Sequence, residues 1–191
     1  MEMKYHMNLE KILEIISHLP QKNGAYIIAI DGKSAAGKST FANELRQVLN
    51  ASVIHMDDFF LPLNLRTQER FNEPGGNIHY ERFEKEVLPH LANEATFSYK
   101  IFDCRKMDYH GTRMIGKSKF RIVEGSYSCH PRFGDYADLK LFLDIEPEQQ
   151  MNRILKRNGM AMAERFRREW IPYEEKYFKE YKIKEKSNLV L

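Results

Sequence analysis

Gly32-Lys33-Ser34-Ala35-Ala36-Gly37-Lys38-Ser39-Thr40 spells G-x-x-x-x-G-K-[ST]. Glycines let the backbone wrap tightly, so that successive N–H groups converge on an anion. A helix starting near Gly37 would add its positive end. Lys38 is expected to reach the outer phosphates of a nucleoside triphosphate, and the Ser39 hydroxyl to ligate Mg²⁺. A glycine-rich turn that matches by chance lacks the flanks found here. The apolar run Ala25-Tyr26-Ile27-Ile28-Ala29-Ile30-Asp31 precedes the loop, and Phe41 to Leu49 follows with helical spacing. The whole stretch Gly32 to Thr40 is therefore the expected nucleotide cradle.

Two further sets of residues could complete a phosphate-transfer site. Asp57 and Asp58 follow the short strand candidate Ser52 to Met56. In an open parallel sheet, ligands lie beyond the carboxyl ends of the strands, so both acids face the crevice of the phosphate loop. Asp57 is the expected base and a metal-side acid, kept ionised by Lys38 and Mg²⁺. Asp58, one residue on in an extended chain, points elsewhere, towards the acceptor. Glu124 ends the buried strand candidate Phe120 to Val123 and is placed to hold a magnesium-bound water. Arginines are the third set. Arg153, Arg157, Arg165, Arg167 and Arg168 lie within Met151 to Trp170, at spacings that share a helical face. Transfer needs cations that close over the triphosphate. We expect Arg153 and Arg157 to meet the nucleotide, and Arg165 and Arg168 to meet the transferring group. A solvated basic face is the alternative.

Other elements must position these groups. Asn8 to Leu19 reads as an amphipathic helix capped by Asn8, and Pro20 ends it. From Leu61 to Lys119 the pattern loosens into loop signals, a helix from Tyr80 to Leu91 and a strand from Thr96 to Phe102. A polar connection follows around His110-Gly111-Thr112. This stretch, about 61–119, reads as a substrate-side insertion. Asn77, His79, Tyr80, Arg82, Phe102 and Asp103 are expected to border an acceptor pocket, because the insertion must cover the sheet edge that carries Asp57. Leu139 to Ile145 is the next strand and Pro147 opens a helix. A helix from Pro172 to Tyr181 carries aromatics of core type, and Asn188 to Leu191 reads as a last strand.

Bulk properties narrow the class. The 191 residues suit one α/β domain, 1–191, with about 151–170 as a lid. Hydrophobic residues make up 42% and charged residues 30%, enough for both a core and a polar surface. A net charge of +3 is too small to point to nucleic acid, and no apolar run approaches a membrane span. Cys104 and Cys129 stand far apart, which fits a reducing compartment. With no signal-peptide pattern at Met1 to His6, the expectation is a cytoplasmic protein. Homo-oligomerisation is left open.

With these pieces placed, the chain resembles the uridine kinase-like branch of P-loop kinases. The resemblance rests on the phosphate loop, Asp57-Asp58-Phe59-Phe60, Asn77 to Phe83, Phe102-Asp103, Val123-Glu124-Gly125 and the arginine-bearing lid. It implies a P-loop NTPase fold, a five-stranded parallel sheet flanked by helices, with a substrate-side insertion and an arginine-rich lid. It also implies ATP and Mg²⁺ as cofactors, a small-molecule alcohol such as a nucleoside as acceptor, Asp57 as general base and Glu124 as the second magnesium-site acid. Two positions depart from the branch. His79 stands where relatives that use uridine carry a ribose-holding Asp. Their His soon after the Tyr-Asp pair has no counterpart after Phe102-Asp103, where the nearest is His110. An imidazole cannot replace a carboxylate that accepts two hydroxyl protons. The competing function is a nucleotide-dependent switch acting through a protein partner. It would share the loop but has no use for Asp57 and a large insertion.

Overall fold

A computed structural model describes residues 2–191, with side chains from Leu9 onward. Helix α1 (Glu2–Ser17) leads into β1 (Tyr26–Gly32), the phosphate loop and α2 (Lys38–Leu49), then β2 (Ser52–His55). The insertion follows: α3 (Gln68–Asn72), α4 (Tyr80–Glu86), α5 (Leu88–Leu91) and the hairpin β3 (Phe97–Asp103) with β4 (Asp108–Ile115). The chain returns through β5 (Phe120–Glu124), β6 (Leu139–Leu143), α6 (Pro147–Asn158), α7 (Met160–Arg165), α8 (Ile171–Tyr181) and β7 (Leu189–Val190).

The five sheet strands run parallel in the order β2-β5-β1-β6-β7. This is the α/β, P-loop NTPase architecture that the sequence implied. Alternation along β1 explains why both faces are covered. Ile28 and Ile30 pack with Phe41, Leu45, Ile122 and Leu141, beneath α1 and α2. Ile27 packs on the other face with Ile54, Phe59, Phe83, Tyr99, Val123 and Tyr177. Successive strand side chains point to opposite faces, so a strand buried on both sides reads as continuously apolar.

Register makes the site. Glu124, the last residue of β5, pairs with His55 at the end of β2 and with Ile30 near the end of β1. The carboxyl ends of three neighbouring strands are thus level, and the phosphate loop, Asp57 and Glu124 leave the sheet at one edge.

Some boundaries differ from expectation. Helix α1 begins at Glu2, so Asn8 lies inside it and is not its cap. The helix expected over Tyr80 to Leu91 breaks at Val87 (φ −121°, ψ −56°), just before Leu88-Pro89. Proline has no N–H for the helical ladder, and its ring crowds the preceding turn. His110-Gly111-Thr112 lies within a strand, β4, and is not a plain connection. β4 pairs antiparallel with β3 from Phe97↔Ile115 to Asp103↔Asp108. After β2 the chain does not stay extended: Met56–Phe59 is a 3₁₀ turn. That turn swings Asp58 inward, where its carboxylate accepts from Tyr99 Oη at 2.9 Å and Arg113 Nε at 2.7 Å. Asp58 therefore clamps the hairpin to the sheet.

Candidate active site

The phosphate loop is anchored from below by Asp31, the penultimate residue of β1. Its fully buried carboxylate accepts from Gly32 N–H at 2.7 Å, Tyr127 N–H at 3.1 Å, Cys129 N–H at 2.9 Å and Tyr177 Oη at 2.8 Å. Burial pushes its pKa up to about 6 against the pull of those donors. Gly32 has φ +133°, and a Cβ there would stand 2.1 Å from the Leu143 carbonyl oxygen, so no side chain fits.

Above this anchor the loop opens as a cradle. Lys33 N–H bonds the Leu143 carbonyl and Ala36 N–H bonds the Lys33 carbonyl. The amides of Ala35, Gly37, Lys38, Ser39 and Thr40 have no partner among the described residues. Ala35 (φ 61°) and Gly37 (φ 106°) hold left-handed backbone, which turns these amides towards one another. Unpaired amides at a helix start are a ready-made anion site. The loop lysines divide. Lys33 turns away to Asp144 at 2.8 Å. Lys38 folds back over the loop and donates to the carbonyls of Gly32 at 2.7 Å and Lys33 at 2.9 Å, with Ser126 Oγ at 3.2 Å.

Hard oxygen donors meet beside Lys38. Ser39 Oγ lies 3.2 and 3.1 Å from the two carboxylate oxygens of Glu124, and His55 Nδ1 lies 2.5 Å from one of them. A hydroxyl and a carboxylate side by side at the edge of an anion cradle fit Mg²⁺, which takes few protein ligands and completes its shell with phosphate oxygens and water. Asp57 is open to this crevice and accepts no hydrogen bond from any described residue. Its pKa is raised, first by loss of bulk water deep in the crevice and then by the charge of Glu124; Lys38 pulls the other way. Lys38, one of the cations expected to keep Asp57 ionised, does act in that direction, against desolvation and the like charges of Glu124 and Glu174.

The arginines are distributed unevenly. Arg153 reaches the phosphate loop, donating to the Ala35 carbonyl at 3.1 Å. Arg157 bonds its neighbour Asn158. Arg165 pairs with Glu169 at 3.0 Å, and Arg167 and Arg168 pair with Glu164, all on the surface. Gly159 (φ +79°) separates α6 from α7, and a π-helical turn, Phe166–Trp170, runs on into α8.

A cavity of about 150 Å³ lies between this region and the insertion, lined by Phe60, Arg66, Phe71, Asn77, Arg165 and Tyr173 among others. Phe60, three residues after Asp57, belongs to this lining, so the chain runs from the base candidate to the cavity wall. Of the residues expected to border an acceptor pocket, the structure puts Asn77 in this lining, with a buried Oδ1 that has no partner among the described residues. The others are occupied elsewhere. His79 bonds Glu81, Tyr80 bonds Glu73, and buried Arg82 bonds Glu86 and the Lys100 carbonyl. Phe102 packs edge-on against Tyr109, and Asp103 caps the hairpin turn through the amides of Arg105 and Lys106.

The decisive observation is one of sequence pattern over most of the chain: residues 27–168 match the Phosphoribulokinase / Uridine kinase family. The chain belongs to that family. It is a phosphotransferase acting on a small molecule, and membership implies the ATP and Mg²⁺ typical of these enzymes. Three solved structures share the fold. A possible uridine kinase from Bacillus stearothermophilus matches with TM-score 0.73 at 20% identity, over 100% of both chains. A candidate fructose transport system kinase from Silicibacter sp. TM1040 matches with TM-score 0.70 at 21% identity, over 90% of this chain and 92% of that one. D-glycerate 3-kinase from Cryptococcus neoformans var. grubii matches with TM-score 0.58 at 16% identity, over 91% and 87%. Among the described residues no helix is long and apolar enough to cross a membrane.

Proposed function

We propose that this kinase transfers the γ-phosphoryl group of ATP to a hydroxyl of a nucleoside or a similar small metabolite. One observation carries the reading. Asp57, which has no hydrogen bond among the described residues, follows β2 at the sheet edge shared by Glu124 and the phosphate loop, three residues before Phe60 of the cavity lining. In this reading about 61–119 is the substrate-side insertion and about 151–170 the lid.

The unpaired amides of Ala35, Gly37, Lys38, Ser39 and Thr40, with the Lys38 ammonium, would hold the phosphates in the loop Gly32 to Thr40, and Ser39 and Glu124 would hold Mg²⁺. Bound there, the ion neutralises charge on the phosphate oxygens during transfer. Asp57 orients the attacking hydroxyl and accepts its proton as the new O–P bond forms. Arg153 lies against the loop and Arg165 at the cavity rim; both can meet charge that develops on the transferring group. Substituting a contacting arginine is expected to lower kcat more than it raises KM. Full kcat in each of Arg153→Ala, Arg157→Ala, Arg165→Ala and Arg168→Ala would reduce the group to surface charges.

The test is ATP consumption against a panel of nucleosides, sugar alcohols, pantothenate-like alcohols and hydroxy acids. Uridine is expected to be a poor acceptor, because His79 turns its imidazole to Glu81 and offers no carboxylate to ribose. A second reading has one supporting observation. Arg66 lines the cavity, and its side chain bonds the Leu61 carbonyl and has no carboxylate partner among the described residues, which suits an acceptor that is itself an acid. A hydroxy acid that outpaces every neutral alcohol selects it. A flat panel with steady basal hydrolysis selects the switch acting through a partner.

A further inference from the structure

The phosphate cradle already contains an anion. Glu174, on α8, inserts a carboxylate that is 5% exposed into the loop. It accepts from Ser34 N–H at 3.0 Å, Ser34 Oγ at 2.5 Å and Ser126 Oγ at 2.7 Å. Ser34 is the third residue of the motif, and its amide is bonded to an acid side chain from a distant helix, whereas Gly32 N–H bonds the adjacent Asp31. Its carbonyl is held in turn by Gln150 Nε2 at 3.1 Å. Glu174 has no ion pair among the described residues. The nearest cation in the network, Lys38, is reached only through the Ser126 hydroxyl.

We propose that Glu174 is the resting occupant of the cradle at Ser34 and that the terminal phosphate of the nucleotide takes its place. This rests on the reading that a nucleoside triphosphate binds Gly32 to Thr40. Two anions cannot share one amide in a water-poor crevice, because like charges brought together there repel strongly. Three carboxylates, Asp57, Glu124 and Glu174, already face this crevice, and both glutamates act on Asp57. Since α8 continues without a break from Phe166–Trp170, withdrawal of Glu174 moves the end of the lid. Glu174 is thus a positioning residue through which phosphate occupancy is felt by the lid. No sequence motif assigns it that role.

Glu174→Gln keeps the length and one acceptor and removes the charge. Calorimetric titration of the whole chain with Mg²⁺ and ATP, ADP or AMP separates the possibilities. Binding of ATP to the wild-type chain with AMP far weaker tests the underlying reading by itself. Given that, Glu174→Gln is expected to bind ATP about tenfold tighter than wild type, with AMP unchanged, since only terminal phosphates compete with the carboxylate. Ser34→Ala, which loses one bond to Glu174 but keeps the amide, is expected to shift ATP in the same direction by less. Amide exchange in Ile171–Tyr181 of the wild type is expected to speed up with ATP and not with AMP. Glu174→Gln binding ATP no tighter than wild type overturns the proposal, and so does unchanged exchange in α8. If Glu174→Gln does not fold, the Ser34→Ala titration and the wild-type exchange decide by the same criteria.

Discussion

Lys38→Ala is expected to lower kcat by about 10²–10³-fold, the range seen when a preorganised donor to developing charge is removed. Lys38 Nζ is folded onto the Gly32 and Lys33 carbonyls and Ser126 Oγ. A flexible ammonium parked on its own loop can swing to the phosphates without disturbing the core. The same contacts carry a cost in the variant. Two backbone carbonyls lose a charged donor, so stability is expected to drop by about 1–3 kcal/mol, with no loss of fold. A urea melt read beside the turnover assay separates the two effects. Turnover near the wild-type level would remove the loop from the mechanism.

Much of this architecture is written locally. The five strands are short apolar runs bounded by turn residues, and the loop motif falls between a strand and a helix, so fold and cradle follow from neighbours in sequence. Glu124 and Asp57 follow because a strand's end is legible and parallel strands end on one edge. What the sequence hides is long-range. Asp58 looks like a second site acid, but its partners, Tyr99 and Arg113, lie on a hairpin more than forty residues away. β4 escapes a periodicity reading because most of its side chains are exposed and no apolar alternation is needed. His55, Ser126 and Asp31 join the site only through folded contacts.

Glu174 is different, because a signal was present. It lies three residues before Tyr177 and four before Phe178, both buried, so helical spacing puts an acid on the apolar face of α8. A buried acid at such a place needs partners, and the partners are the loop serines. Reading the helix only as aromatic core passed over the one residue on its buried face that is not apolar.

Asp57→Asn carries the other large expected effect. Transfer to an alcohol passes through a loose transition state, so most of the catalysis is positioning and charge neutralisation. The hydroxyl must still be held in line and lose its proton, and a general base is worth about 10²–10⁴ in rate. A fall in kcat of that size is expected, with ATP binding nearly unchanged because the cradle amides are untouched. The 3₁₀ turn makes Asp57 the better choice over Asp58, whose carboxylate is committed to Tyr99 and Arg113. Wild-type kcat in Asp57→Asn with loss in Asp58→Asn would reverse that choice. The pH dependence adds a second readout. Desolvation by the crevice walls and the charge of Glu124 raise the Asp57 pKa, although the residue is exposed at its surface. Only the ionised form accepts a proton, so kcat/KM of the wild type is expected to fall as pH drops through that raised value, at higher pH than for an ordinary aspartate. Stability runs the other way. A carboxyl whose folded pKa lies above its unfolded one favours the fold when protonated, and that contribution is lost as pH rises through the folded value. Asp57 is exposed at its surface, so water screens this charge and its cost to the fold at neutral pH is small. The variant is expected to melt no earlier than wild type while its activity collapses. A variant that loses activity only because it unfolds would show the opposite melt.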